Sequence, residues 1–176
     1  TRGASSPSAG PDVARRAAFA VARLQQVFIA LRFQGTVARK HPEQMRARLS
    51  QRFVVVRDAA VRQQLVPACS GQQFVGEAPV VIAGVGLMPD RKMRCDIPGD
   101  PVDVAIALEH LALAAAAEGL GTCWIGAFYQ DQVRQVLGIP DTVKVVQMMT
   151  LGYPADEPRP KSRKTLGEIV CYDRWE

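Results

Sequence analysis

The sequence has few of the side chains that carry out catalysis on their own. Its 176 residues include only two histidines, His41 and His110, and neither lies near a serine or cysteine in a nucleophile motif, so both are expected to be structural. The cysteines form no Cys-x-x-Cys pair and no metal-ligand spacing with a histidine, which argues against a zinc site or a disulfide framework. They are Cys69, Cys95, Cys123 and Cys171. Unpaired cysteines of this kind indicate a reducing compartment such as the cytoplasm. If the protein is an enzyme, a bound cofactor is expected to supply the reactivity, because few of its side chains can do so.

Long apolar runs are also missing. The longest one, over residues 105–117, is interrupted by Glu109 and His110, so no segment is expected to span a membrane. With 48% apolar and 22% charged residues, the composition is that of a soluble globular protein. A chain of this length is enough for one domain that buries about two thirds of its unfolded surface.

Acidic residues are scarce in the first part of the chain. Residues 1–52 contain ten Lys and Arg side chains but only Asp12 and Glu43 as acids, which gives this segment a charge of +8 and the remainder −3. Apolar spacing predicts a helix over residues 13–33 and a shorter one over 42–49. A basic, solvated helical face is one interpretation. Nucleic-acid binding is a second interpretation, but the segment has neither interleaved aromatic residues nor a recognised nucleic-acid-binding motif. An organellar transit peptide, which has a similar composition, is a third.

From residue 53 onward, apolar patterns predict both strands and helices. The β-branched run 53–58 predicts a buried strand, and the continuous apolar run 80–85 predicts a central strand covered on both faces. The polar connection 87–101, with three prolines, is either a lid beside a substrate or an ordinary crossover loop. A further strand is predicted over 143–151, and helices are predicted over 59–69, 103–118, 131–137 and 166–170.

The most specific stretch is Gly-Leu-Gly-Thr-Cys-Trp-Ile-Gly-Ala-Phe, at residues 119–128, directly after the alanine-rich helix. Gly126 and Ala127 follow strand-like residues and have almost no side chain. A planar ligand could therefore lie against their backbone and accept a hydrogen bond from a main-chain N–H. Cys123 is expected to be a buried side chain, and Trp124 and Phe128 are expected either to belong to the core or to pack beside such a ligand.

The C-terminal region offers a candidate anion site. Lys161 and Arg163 lie two residues apart, so in an extended segment they project to the same side and could both reach one phosphate. Taken alone, such a pair near a chain end is also typical of a solvated charge cluster.

Taken together, residues 53–176 resemble the nitroreductase family of FMN-dependent oxidoreductases, in a compact subfamily marked by a sequence similar to Gly-Leu-Gly-Thr-Cys-Trp-Ile-Gly. The resemblance implies an α+β fold with a mostly antiparallel central sheet surrounded by helices, in an intertwined homodimer that binds FMN at the subunit interface. The matching segments are 53–58, 77–81, 103–128, 137–140, 151–154, 160–163 and 166–175.

The resemblance also implies a site and a reaction. The backbone of Ile125, Gly126 and Ala127 would face the flavin ring, and Lys161 and Arg163 would hold the FMN phosphate. NAD(P)H would reduce FMN, and the flavin would then reduce a nitroaromatic, a quinone or a similar small acceptor in a ping-pong mechanism without a catalytic side chain or metal. Neither nucleic acid nor a membrane is implied as a partner. The alternative is a flavin-poor, non-catalytic dimeric scaffold with the same fold.

The resemblance does not extend to the first 52 residues. Family members have an Arg-x-Ser-x-Arg-like motif near the start and a Pro-Ser-x-x-Asn-x-Gln-Pro-Trp stretch before the first strand, whereas residues 45–52 here read Met-Arg-Ala-Arg-Leu-Ser-Gln-Arg. Residues 1–52 are therefore interpreted as an atypical basic helical segment, altered or frameshifted relative to the family, before a nitroreductase-like domain at 53–176.

Overall fold

The computed structural model describes residues 50–154 and 160–175. The helices predicted over 13–33 and 42–49, together with His41, lie outside the described residues. In chain order, the elements are β1 Gln51–Val56, α1 Ala59–Ala68, α2 Phe74–Glu77, β2 Val80–Gly86, α3 Gly99–Ala117, β3 Gly121–Ile125, α4 Gln130–Leu137, β4 Lys144–Gly152 and α5 Leu166–Ile169.

The strands form one antiparallel sheet in the order β1-β2-β4-β3. Strand β2 is buried along its whole length because it lies inside the sheet and is covered on both faces, as its continuous apolar sequence predicted. Strands β1 and β3 form the two edges. The α+β prediction with a mostly antiparallel sheet is confirmed.

Each face of the sheet carries its own apolar core. On one face, Val81, Ala83 and Met148 pack with residues of α1 and α4, such as Leu65 and Val133. On the other face, the apolar side of α3 covers the alternate residues of the strands. This second core consists of Val80, Ile82, Val104, Leu108, Leu111, Ala115, Leu120, Met149 and Leu151.

Helix α3 begins four residues earlier than its sequence predicted, at Gly99. Pro101 falls in the first turn, where a proline breaks no hydrogen bond because the N–H groups there have no partner within the helix. The carboxylate of Asp100, in the same turn, accepts a hydrogen bond from the Met88 N–H at 2.7 Å. The helix ends where predicted, before Gly119, whose φ of +74° lies in the left-handed region.

The connection between β2 and α3 is ordered by its own hydrogen bonds. The Met93 N–H donates to the Ile97 carbonyl at 2.8 Å, and the Gly99 N–H donates to the Arg91 carbonyl at 2.9 Å. The Arg91 guanidinium forms an ion pair with Asp103, whose carboxylate also accepts a hydrogen bond from Ser50 Oγ at 2.9 Å. These contacts fix the connection to the start of α3. It covers residues 87–98 and is therefore shorter than the predicted 87–101.

Candidate functional site

The candidate site lies where the chain leaves the sheet at the end of β3. Ile125 is the last residue paired with β4, opposite Met148, and its side chain is buried in the core. Gly126 and Ala127 follow immediately and are exposed. The core position of Ile125 thus fixes the point at which the main chain becomes accessible to a ligand.

The space above Gly126 is open. A Cβ built on Gly126 would meet one heavy atom within 4 Å outside its neighbours in the chain, Gln147 Nε2 at 4.0 Å. At Gly121, the other glycine of this strand region, a Cβ would lie 3.2 Å from the Pro154 side chain. Gly126 therefore leaves the backbone uncovered on this side.

Two hydrogen bonds tie the segment after Gly126 to the end of α1. Gln72 Nε2 donates to the carbonyl of Ala127 at 3.1 Å and to that of Cys69 at 2.8 Å. The Tyr129 N–H donates to the Ala68 carbonyl at 2.8 Å. Ala127 and Tyr129, which follow Gly126 in the chain, are thus both held by the same helix end.

A second side-chain amide, that of Gln130, holds the segment from the sheet side. The Gln130 side chain accepts a hydrogen bond from the Val145 N–H at 3.2 Å and donates to the Val145 carbonyl. The sequence contained no signal for Gln72 or Gln130, because neither belongs to a motif and the groups that they bridge to, Ala127 and Val145, lie 55 and 15 residues away along the chain.

The core packing expected of Cys123, and given as one alternative for Trp124, is wrong. Trp124 is 38% exposed and Cys123 is exposed as well. Both lie on β3, and an edge strand has a neighbour on one side only, so that its side chains are covered less completely than those of β2. Phe128 does pack against the core beside α4, as expected.

The predicted phosphate ligands, Lys161 and Arg163, lie in an exposed stretch that precedes α5. Among the described residues, no hydrogen bond or ion pair joins either cation to the segment around Gly126. Helix α5 itself begins with a capping box, in which Glu168 accepts hydrogen bonds from the Thr165 N–H and hydroxyl, both at 2.9 Å. These bonds lower the pKa of Glu168.

The other reactive side chains lie away from the candidate site or are shielded. His110 is exposed on α3, with Nδ1 2.7 Å from the Ile106 carbonyl oxygen. Cys69 is fully buried, and burial raises the pKa of its thiol to about 11. Within residues 50–154 and 160–175, three or more potential metal ligands are nowhere grouped together, and none of the helices is both long and apolar enough to cross a membrane.

Comparison with known proteins identifies the fold. A family model described as the Nitroreductase family matches residues 12–153. The chain belongs to this family. The match includes residues 12–52, although the expected resemblance began only at residue 53. The division into segments 1–52 and 53–176, and the frameshift hypothesis for the first, stay predictions.

Relatives of this nitroreductase-family chain include a protein named NADH dehydrogenase from Thermus thermophilus, 29% identical over 152 residues that cover 69% of this chain and 74% of that protein. The NADPH-flavin oxidoreductase of Vibrio harveyi is 26% identical over 135 residues, which cover 70% of this chain and 56% of that protein. This chain therefore spans little more than half the length of the Vibrio harveyi relative.

Solved structures agree with the fold. Nitroreductase A from Vibrio parahaemolyticus superposes with a TM-score of 0.67 at 24% identity, covering 88% of this chain and 68% of that one. A nitroreductase family protein from Clostridium novyi NT gives a TM-score of 0.55 at 31% identity, covering 60% of this chain and 62% of that one.

Proposed function

We propose that this nitroreductase-family chain is an FMN-dependent NAD(P)H oxidoreductase with the flavin ring against Gly126 and Ala127. Bound FMN would supply the redox chemistry, which is the transfer of two electrons from NAD(P)H to a nitroaromatic, a quinone or a similar acceptor in a ping-pong sequence. The open, exposed main chain at the end of β3 is the observation that carries this proposal.

The residues around this segment suit binding rather than proton transfer. Ile125 anchors the segment in the core, and Gly126 leaves the backbone uncovered. The side chains that hydrogen-bond to the loop are the amides of Gln72 and Gln130, which do not exchange protons with a substrate. The role of the protein chain is therefore to hold and orient the cofactor.

Lys161 and Arg163 complete the proposed cofactor site as phosphate ligands. Both cations are exposed, and neither is engaged by an acidic side chain among the described residues. A phosphate would form charge-assisted hydrogen bonds with both of them. Because no contact brings them to Gly126 in the single chain, this part of the proposal depends on how the C-terminal segment is placed in the assembled protein.

A homodimer is part of the proposal. The segment 160–175 exposes large apolar side chains, among them Leu166 at 75%, Ile169 at 62% and Trp175 at 93%. Ile106 and Leu113 on the outer side of α3 are also exposed. Exposed apolar surface of this kind favours burial in an interface, and a second copy of this chain is the proposed partner. The four free thiols fit a reducing cytoplasm.

Purification of the full chain tests the proposal. A yellow protein that releases FMN on denaturation, and whose flavin is bleached by NADH or NADPH without oxygen, would support the oxidoreductase. Re-oxidation by a quinone or a nitroaromatic would then identify the acceptor class. A colourless protein that binds no added FMN would favour the flavin-poor scaffold instead.

A further inference from the structure

We propose that Gln72 and Gln130 are positioning residues, which hold the Gly126–Ala127 main chain away from the sheet in the orientation that receives the flavin. This inference rests on the proposed function. It concerns how the contact segment is built, and it can be tested in the flavin-free protein as well.

Gln130 takes the place of a strand residue. If the register between β3 and β4 continued beyond Ile125, Phe128 would lie opposite Val145. Instead, the Gln130 side chain satisfies both the N–H and the carbonyl of Val145. An unpaired backbone group of a buried residue is costly. Because the Gln130 amide supplies both hydrogen-bond partners, Val145 does not need a continued β3 to supply them. The main chain at Gly126 and Ala127 is thereby released from the sheet.

Strand β4 is irregular at the same point. Gly84 on β2 pairs with Gln147 and Val85 pairs with Val145, so Val146 has no partner on β2 and forms a bulge. Bulges bend a strand locally and often lie next to binding sites, where they redirect side chains. The bulge and the end of β3 together open the sheet edge beside Gly126.

Gln72 holds the segment from the opposite side. It follows a tight turn in which Ser70 and Gly71 have φ values of +57° and +74°. The Gly71 N–H donates to the Val66 carbonyl at 2.9 Å, which fastens this turn to α1. The amide of Gln72 then bridges the turn to the Ala127 carbonyl. The position of the Ala127 peptide therefore depends on the end of α1.

A glutamine is required at both positions because of its hydrogen-bonding groups. At position 130 the amide acts as acceptor and donor at once, and at position 72 its NH₂ group donates to two carbonyls. Glutamate at position 130 would retain the acceptor for the Val145 N–H and lose the donor. Leucine at either position would keep similar volume and lose every hydrogen bond.

The experiment compares Gln72→Leu and Gln130→Leu with Gln64→Leu and Gln132→Leu, which change exposed glutamines on α1 and α4. In flavin-free protein, backbone order parameters of Gly126 and Ala127 are expected to fall from about 0.85 to below about 0.6 in the first pair only. In flavin-loaded protein, Gln72→Leu and Gln130→Leu are each expected to raise the Kd for FMN about tenfold or more. Both should also change the absorption spectrum and the reduction potential of the flavin. Gln130→Glu is expected to lie between wild type and Gln130→Leu.

The outcomes separate this inference from the proposed function. A wild-type protein that binds no FMN would refute the function, while the order parameters would still test the positioning role. Conversely, wild-type FMN binding together with unchanged order parameters, Kd and potential in both leucine variants would overturn the positioning role alone. A loss of order spread evenly over the whole protein would also overturn it, since that result indicates only global destabilisation.

Discussion

The carboxylate of Asp100 occupies the space that a side chain on Gly86 would need. A Cβ built on Gly86 would lie 2.5 Å from Asp100 Oδ2 and 2.7 Å from Asp100 Cβ. The same Oδ2 accepts the hydrogen bond from the Met88 N–H, so the carboxylate cannot move away without losing this bond. The last residue of β2 must therefore be a glycine for α3 to begin where it does.

Replacing Gly86 with alanine should destabilise the protein. We expect Gly86→Ala to lower the free energy of unfolding by about 1–3 kcal/mol, because the added methyl group overpacks a site that is already filled. Urea denaturation followed by circular dichroism measures this change. Gly126→Ala is the control: nothing lies closer than 4.0 Å to its added Cβ, and a change within about 0.5 kcal/mol is expected. Equal losses in the two variants would contradict the prediction.

A larger side chain at Gly126 should separate stability from cofactor binding. Gly126→Val places a branched side chain in the space proposed for the flavin ring, where the protein itself leaves room. We expect unfolding in urea to be nearly unchanged and the FMN Kd to rise about tenfold or more, which corresponds to an overpacking cost of about 1.4 kcal/mol or more. Fluorescence quenching of FMN on titration measures the Kd. Wild-type affinity in this variant would remove Gly126 from the site.

The positive charges of Lys161 and Arg163 should contribute to FMN affinity. Lys161→Ala and Arg163→Ala are each expected to weaken FMN binding by about 1.5–3 kcal/mol, the usual value of a hydrogen bond to a charged group. The loss should be smaller for riboflavin, which lacks the phosphate. Lys164→Ala, an exposed cation in the same stretch, is the control. If all three variants bind FMN like the wild type, the phosphate site lies elsewhere.

Cys69 should remain unreactive while the protein is folded. Its buried thiol has a pKa raised to about 11, so folding favours the protonated form. The resulting stability is complete below the unfolded-state pKa of about 8.5, and it is lost as the pH rises through 11. At pH 8, a thiol reagent should label exposed Cys95 at once and Cys69 only after unfolding.

In the variant Cys69→Ala, the fall in stability that the thiol causes between about pH 9 and 11 should be absent. Its stability at neutral pH should also be lower than that of the wild type, because the substitution leaves a cavity. Urea unfolding at a series of pH values separates the two effects. Rapid labelling of Cys69 in the native protein would contradict the burial seen here.

The exposed apolar residues of α5 should be needed for dimer formation. We expect the double variant Leu166→Asp with Ile169→Asp to sediment as a monomer at concentrations where the wild type is a dimer, because two carboxylates would have to be desolvated in the interface. Analytical ultracentrifugation measures this. Ser162→Asp adds a charge to the same segment without replacing an apolar residue. A dimeric double variant would place the interface elsewhere.

The sequence predicted the interior of the fold better than its boundaries. The apolar run of β2 predicted a strand covered on both faces, and the structure confirms it. Helix α3 began earlier than predicted, because Pro101 resembles a loop residue unless its position in the first turn is known. Helix α2 is four residues long, and four residues carry no periodic signal.

At the candidate site, backbone exposure was predictable and side-chain support was not. Small residues after a strand pointed directly to Gly126 and Ala127. In contrast, the core packing given as one alternative for Trp124 failed, since the sequence does not reveal that β3 is an edge strand. The hydrogen bonds of Gln72 and Gln130 depend on tertiary contacts over long sequence distances, which a single sequence does not encode in any local pattern.

The amide of Gln130 also has a consequence for association between molecules. A strand whose N–H and carbonyl groups face outward is a template on which another chain can add, and such edges promote aggregation. Because β3 ends at Ile125, the early part of β4 would present this template at Val145 if no side chain occupied it. Loss of the amide should therefore make the protein more prone to aggregate on heating, even where it remains folded.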